Sequence, residues 1–361
     1  MARLTLKTAR RIALTAGAAA VALSLAACAG GSGDTGSGST SGSGGSEAAD
    51  YGDLNLQLSW IKNEEFAGEF FADSNGYYDE AGFSEVVMTA GPSTGTAELL
   101  SGSADVALSD SVSVGTVVAN EEAPLKIIGA TFQANPFTIL SLADGGNIAT
   151  PEDMIGKRIG VQASNSSLFT ALLAANDIDE SELTIVPVDY DPSVLVNGDV
   201  DGFVAYVTNE AITVSMQGIE TTTLNFADNG LPFVAETVTV TEQTIAENRE
   251  MLKAFLVAEI KGWTDQLADP EEGARLAVEE YGVDLDLEME KAIAGSEAQN
   301  ELAVSADTEE GGLFVITEEL QEQTVATLKA VGLDLEASDL FDLSLLAEVY
   351  EENPDLIDYA G

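Results

Sequence analysis

The 361-residue sequence contains no histidine, a single cysteine, and 14 Lys and Arg against 62 Asp and Glu. Each scarcity removes a class of chemistry. Without histidine there is no Ser-His-Asp triad and no Cys-His pair, and one cysteine cannot complete a thiolate zinc site. An intramolecular disulfide is excluded as well. The formal net charge of −48 opposes any hold on a phosphate backbone, which needs a basic patch, so no nucleic-acid partner is expected. What is present suits two lobes of roughly 100–200 residues, with 45% hydrophobic residues to fill their cores.

The chain has one long apolar run, and it lies at the N-terminus. Arg3, Lys7, Arg10 and Arg11 precede an uncharged stretch of 16 residues from Ile12 to Ala27. That is shorter than the ~20 residues a membrane-spanning helix needs. It ends Leu25-Ala26-Ala27-Cys28, small residues before a cysteine. The pattern is a signal peptide over residues 1–27 with a bacterial lipobox, in which Cys28 is lipidated and becomes the first residue of the mature chain. The segment 28–50 is then the lipidated cysteine with its linker. Of the 22 residues from Ala29 to Asp50, 8 are Gly and 6 are Ser, with no side chain large enough to seed a core. As a flexible coil it spans about 25 Å.

Every acid lies beyond Cys28, so the mature chain carries ten bases against 62 acids, a net −52. This charge disfavours an anionic membrane surface and leaves the lipid as the expected anchor.

The body reads as α/β. Leu54, Leu56 and Leu58 alternate over Leu54–Trp60, a strand signal. Glu64–Ser74 places Phe66, Phe70 and Phe71 on a helical face that Gly76 ends. Further strands are expected at Glu85–Ala90, Val106–Leu108, Leu125–Ala130, Lys157–Val161, Leu183–Val188 and Gly202–Val207. Short helices are expected at Thr96–Ser101 and, capped by Ser164 to Ser167, at Leu168–Ala175. Leu231–Thr241 reads as a long extended stretch. Beyond it Leu256, Ile260, Trp263 and Leu267 keep helical spacing, which assigns Trp263 to the core. Strands alternating with helices imply largely parallel sheets.

One pattern repeats. Gly102-Ser103-Ala104-Asp105-Val106 and Gly198-Asp199-Val200-Asp201-Gly202 each precede an apolar strand that ends in a polar cluster, Ser109-Asp110-Ser111 in one case and Thr208-Asn209-Glu210 in the other. Two lobes on one plan would bring both clusters to strand C-termini, where open α/β sheets bind ligands. The second copy also imitates the start of an EF-hand loop, but its twelfth position is Thr208 rather than Glu, which rejects calcium.

Trp60-Ile61-Lys62-Asn63-Glu64-Glu65-Phe66-Ala67-Gly68, Gly76-Tyr77-Tyr78-Asp79-Glu80-Ala81-Gly82-Phe83, the two Gly-Asp repeats, and Pro151 to Val161 together resemble extracellular solute-binding proteins of ABC importers. The branch is the one that holds thiamine-pyrimidine-precursor binders and alkanesulfonate, taurine and nitrate binders. The resemblance runs from about Leu54 to Tyr350. It implies a two-lobed, type II periplasmic-binding-protein-like α/β fold with mixed, mostly parallel sheets and a two-strand hinge near Phe137–Ala143 and Pro232–Thr241. The implied layout is a first lobe over 51–143, a second lobe over 144–232, and a helical return to the first lobe over 233–361. It further implies a monomer that hands a small-molecule ligand to ABC permease subunits, with no catalysis, no cofactor and no metal.

The expected ligand-binding residues are Trp60, Asn63, Ser93, Thr94, Ser109, Asp110, Ser164, Asn165, Tyr206, Asn209 and Glu210. Sulfonate and nitrate need cations or several amide donors, and Lys62 is the one base near an expected ligand loop. A neutral or cationic heteroaromatic suits the charge better: Trp60 and Tyr206 to stack on a flat ring, Glu210 to accept from an amine, Asn63 or Asn209 to read a ring edge. In the pyrimidine-binding relatives an aromatic and an Asn after the first strand belong to the site, which Trp60 and Asn63 match, and Asn209-Glu210 resembles the family's Asn-Glu. A flavin and a sulfonate-type anion stay open as ligands, and a carboxylate-pair hydrolase stays open as a class.

Overall fold

The alternating leucines pack as anticipated: Leu54, Leu56 and Leu58 are all fully buried. The structure, a computed structural model, describes residues 49–359. The expected signal peptide, Cys28 and nearly all of the linker lie outside the described residues.

Among the described residues, ten strands form two five-stranded sheets. β1 (Gly52–Gln57), β2 (Phe83–Thr89), β3 (Val106–Asp110), β4 (Leu125–Phe132) and β10 (Ala235–Thr241) lie in the order β2-β1-β3-β10-β4. β5 (Phe137–Leu142), β6 (Arg158–Val161), β7 (Thr184–Pro187), β8 (Gly202–Tyr206) and β9 (Thr221–Asn225) lie in the order β7-β6-β8-β5-β9. β1 pairs parallel with β2 and β3, and β10 runs antiparallel to β3 and β4. The second sheet repeats this: β6 is parallel to β7 and β8, and β5 is antiparallel to β8 and β9. Each sheet thus takes its one antiparallel strand from across a crossover.

The Gly-Asp echo is a structural repeat. The Asp105 carboxylate accepts from the backbone N–H of Asn55 on β1 at 2.8 Å, while its own N–H donates to the Asn55 carbonyl at 2.9 Å. Asp201 does the same to Arg158 on β6, at 2.8 and 2.7 Å. In both lobes an aspartate locks the start of the third strand onto the first strand.

The expected hinge segments correspond to β5 and β10 themselves, and the connections between sheets are the residues just before them, 133–136 and 226–234. These two connections are tied together. The Asn135 amide donates to the Leu231 carbonyl at 2.8 Å, and its oxygen accepts from the Phe137 N–H at 2.9 Å.

Helices cover the first sheet. A 3₁₀ turn at Glu64–Phe66 leads into the helix Ala67–Ser74, which crosses the long helix Arg249–Ala268 at two glycines. A Cβ on Gly262 would sit 2.1 Å from the Gly68 carbonyl oxygen. Beside them Trp263 is 1% exposed, the core residue its helical spacing indicates. Thr96–Ser101 is a helix over the expected residues, whereas the second capped helix begins two residues early, at Ser166. Several short elements were not expected, the helices Tyr77–Ala81 and Glu210–Ser215 among them, and two others have a plain physical reason. Ser111–Glu121 is a helix whose apolar residues are mostly valines at irregular spacing. β9 is Thr-Thr-Thr-Leu-Asn, polar because it lies at a sheet edge with Leu224 its one fully buried side chain.

Candidate functional site

The carboxyl ends of the parallel strands in both sheets face one cavity, the place where open α/β sheets bind ligands. Ser59 and Trp60 follow β1. Ser93 and Thr94 come from the loop after β2, and Ser109 and Asp110 end β3. From the second lobe come Ser164 and Asn165 after β6, Tyr206 at the end of β8, and Asn209 and Glu210 beyond it. Ten of the eleven residues singled out in the sequence therefore line this cavity. Asn63 does not: it is buried, and it borders an outer groove together with Trp60, Tyr190, Met216, Asn209 and Lys291.

Several of these side chains hold the cavity wall. Asp110 caps the helix Ser111–Glu121, accepting from the Val112 and Ser113 N–H groups at 2.9 Å each and from the Ser113 hydroxyl at 2.6 Å. The Ser109 hydroxyl donates to the Thr94 carbonyl at 2.7 Å. Glu210 accepts from the Tyr206 N–H at 2.9 Å and from the Asn209 amide at 3.0 Å. The Asn165 amide donates to Gln162, whose own amide donates to the Val204 carbonyl at 3.0 Å. The Tyr206 ring stands edge-on to Phe137, centroids 4.4 Å apart.

Sequence reasoning missed three charged residues. Glu236 opens β10 at a register shift, in the left-handed region with φ of +46°. Such a backbone costs an ordinary side chain about 1 kcal/mol or more and persists where the surroundings enforce it. Its carboxylate enters the cavity and accepts from Ser59 at 3.0 Å and from the Tyr206 hydroxyl at 2.9 Å. The latter bond joins the two lobes. Glu65 lines the same cavity. Lys291, from the helix Met289–Ala303, donates to Glu64 of the first lobe and to Asn209 of the second. Lys62, the base expected near the site, does not line the cavity. One signal was available: Glu236 interrupts a run of apolar and β-branched residues, and a buried strand tolerates a carboxylate only for a reason.

Burial governs the electrostatics. It pushes the Glu210 and Glu236 carboxyls up to about 7. Glu65 rises well above the carboxylate range, through burial first and then the charges of Glu236, Glu210 and Glu64. Asp110 rises through burial, against its cap hydrogen bonds. No Lys or Arg is among the described residues that line the cavity. One helical turn deeper, Glu69 and Glu259 form a second buried pair. Glu69 accepts from the Trp263 indole at 3.3 Å, and Glu259 accepts from the Tyr78 hydroxyl.

The sequence pattern of one protein family, described as NMT1/THI5 like, matches residues 63–273, more than half of the chain. The chain belongs to the NMT1/THI5-like family. This NMT1/THI5-like chain is 26% identical over 295 residues to the riboflavin-binding protein RibY of Chloroflexus aurantiacus, covering 78% of this chain and 81% of that one. Its fold matches a solved Bordetella bronchiseptica RB50 protein with a TM-score of 0.67 at 15% identity, covering 84% and 98% of the two chains. It also matches the periplasmic nitrate-binding protein NrtA of Synechocystis PCC 6803, with a TM-score of 0.60 at 15% identity, covering 84% and 90%. The fold is the two-lobed α/β periplasmic-binding-protein architecture anticipated above, and the family fits the expected branch.

Proposed function

We propose that this protein is the solute-binding component of an ABC importer, tethered outside the cell by a lipid on Cys28. It captures a small, flat, nitrogenous heteroaromatic of the thiamine-pyrimidine-precursor kind and presents it to the permease. The observation that carries this reading is the charge of the cavity: four acids, Glu65, Asp110, Glu210 and Glu236, and no base. Sulfonate and nitrate need cations or several converging amide donors, and a cavity lined by four acids and no base opposes them. A ring that is neutral or cationic and rich in N–H groups meets acceptors on all sides, with Trp60 and Tyr206 to cover its faces. Hydrolysis is disfavoured because three of the four acids are engaged: Asp110 in a helix cap, Glu210 with the Tyr206 N–H, and Glu236 with the Ser59 and Tyr206 hydroxyls.

A second ligand, riboflavin, is favoured by the similarity to RibY, and it is likewise flat, uncharged and rich in donors. The test is calorimetric titration at pH 8 with 4-amino-5-hydroxymethyl-2-methylpyrimidine, riboflavin, taurine and nitrate. One of the first two is expected to bind and both anions to fail. Glu210→Gln, which keeps size and removes charge, is expected to weaken the amino-bearing ring. If taurine or nitrate binds, and binds more tightly to Glu210→Gln, the heteroaromatic reading is wrong.

A further inference from the structure

Asn63 stands one residue before the 3₁₀ turn Glu64–Phe66, where an asparagine side chain commonly caps, yet it makes no cap hydrogen bond. It is 1% exposed, its amide oxygen has no hydrogen-bond partner among the described residues, and it borders the outer groove. Native structures rarely leave a buried polar atom unpaired without a role for it. We propose that the outer groove is a second compartment of the ligand site, in which Asn63 and an apolar wall receive a flexible, neutral, hydroxylated chain carried by the ring. This rests on the heteroaromatic reading and narrows its substrate class from a bare ring to a ring with such a chain.

The two compartments adjoin. Trp60, Asn209 and Glu210 line both the inner cavity and the groove, so a substituent on a ring held against Trp60 has its way out beside that side chain. The groove has a volume of about 440 Å³, within the range of small-molecule sites. Its walls come from both lobes: Tyr190 and Met216 from the second, Leu287 and Lys291 from the return of the first. Tyr190 and Met216 are 42% and 43% exposed, large apolar side chains open to water that the carbons of a chain would cover. A ligand that fills both compartments buries this surface on binding, whereas a bare ring leaves it wet.

The polar groups select the chemistry of the chain. The Asn63 oxygen is an acceptor without a donor, which a hydroxyl supplies and an ether or alkyl chain does not. Charge selects against a phosphate. Asp191, Asp286, Glu288 and Glu290 stand along the groove, and Lys291 is the one base among the described residues that line it. Lys291 already donates to Glu64 and Asn209, so a phosphate meets a net negative field. A cationic chain fares no better, because the Lys291 ammonium stands in the same wall and the four acids are exposed, where ion pairs contribute little. The inner cavity thus reads the ring, and the groove reads hydroxyls and turns away charge.

Three flavins that share one ring test it: riboflavin with its hydroxylated chain, lumiflavin with a methyl group in place of that chain, and riboflavin 5′-phosphate. Calorimetric titration of the full mature chain at pH 8 is expected to give riboflavin a Kd at least about tenfold below those of the other two. Asn63→Leu is expected to weaken riboflavin about tenfold and leave lumiflavin unchanged. Its Tm is expected to be no lower, since the native amide oxygen has no partner to lose. Met216→Ser, at an exposed position of the wall, is expected to weaken riboflavin alone as well. Equal binding of riboflavin and lumiflavin by the wild type overturns the proposal, and so does tighter binding of the phosphate ester. Equal weakening of both rings by Asn63→Leu, with a lower Tm, also overturns it, because the amide then serves the fold. If the flavins fail while 4-amino-5-hydroxymethyl-2-methylpyrimidine binds, the second compartment is overturned and the heteroaromatic reading stands. If no ring binds, that reading fails and the proposal fails with it.

Discussion

Lys291 offers the sharpest perturbation of lobe closure. Its helix belongs to the first lobe, anchored there by the Gln299 amide donating to the Glu64 carbonyl at 2.7 Å. Its ammonium reaches Glu64 on that lobe and Asn209 on the other. When the lobes part, the first contact persists and the second is lost. Lys291→Met removes both. A hydrogen bond to a charged group contributes about 1.5–3 kcal/mol, so the closed state should lose about 10- to 150-fold in population relative to the open one. Affinity falls by the full factor where the open state dominates the unliganded wild type, and by less where the closed state does. The same substitution also strips a cation from Glu64, whose side chain is 3% exposed against 13% for Lys291. Breaking a buried pair from one side costs about 3–5 kcal/mol of folding stability. Glu64→Gln/Lys291→Met separates the two effects. The double variant should regain most of the stability, read by urea unfolding, and none of the closure, read by the radius of gyration in small-angle scattering and by ligand dissociation in stopped flow. Recovery of closure along with stability in the double variant would show that Lys291 only supports the fold, and the latch reasoning would fail.

Three further outcomes are expected from the geometry. Trp60→Ala should lose stacking of about 0.5–1.5 kcal/mol beyond the area term, roughly a tenfold rise in Kd for a flat ring measured by calorimetry; an unchanged Kd would place the ring elsewhere. Glu69 rises to about 7 through burial and Glu259 rises further, so the pair favours folding below its unfolded value and loses that contribution as pH rises through the folded one. Thermal melts should therefore fall from pH 5 to pH 8, by about 1.4 kcal/mol per pH unit for each retained proton, and Glu259→Gln should flatten that slope; an identical slope in the variant would refute it. Gly262→Ala drives a methyl to 2.1 Å from the Gly68 carbonyl oxygen and should destabilise by about 1–3 kcal/mol in urea despite the helix propensity of alanine.

The architecture was legible where a pattern has one physical cause. Alternating leucines mark β1, and the repeated Gly-Asp pattern marks the third strand of each lobe, because the same aspartate-to-backbone lock is needed in both. The loops at strand ends gave most of the cavity wall for the same reason. Of the four acids in the cavity, Asp110 and Glu210 were legible at strand ends, and Glu65 and Glu236 were not. In a chain with 62 acids, a carboxyl taken from water has no local mark that separates it from a solvated one. Glu65 sits one residue from Phe66, and which of the two faces the cavity depends on helices some 200 residues away. Lys291 was hidden likewise: only the packing of the C-terminal return against the second lobe brings its ammonium to Asn209.

The exchange of antiparallel strands bears on how the chain assembles. β5 to β9 are contiguous, so the second sheet is complete once residue 225 is available, with no strand contributed by the C-terminal part of the chain. The first sheet is different. β10 lies between β3 and β4, so until residue 241 is present β3 and β4 face each other across a missing strand, each with unpaired backbone groups. An N-terminal fragment that stops short of β10 keeps two exposed sheet edges of the kind that recruit other chains. A chain that emerges from a translocation pore N-terminus first would therefore finish its second lobe before its first, and the N-terminal half would depend on a strand made more than a hundred residues later.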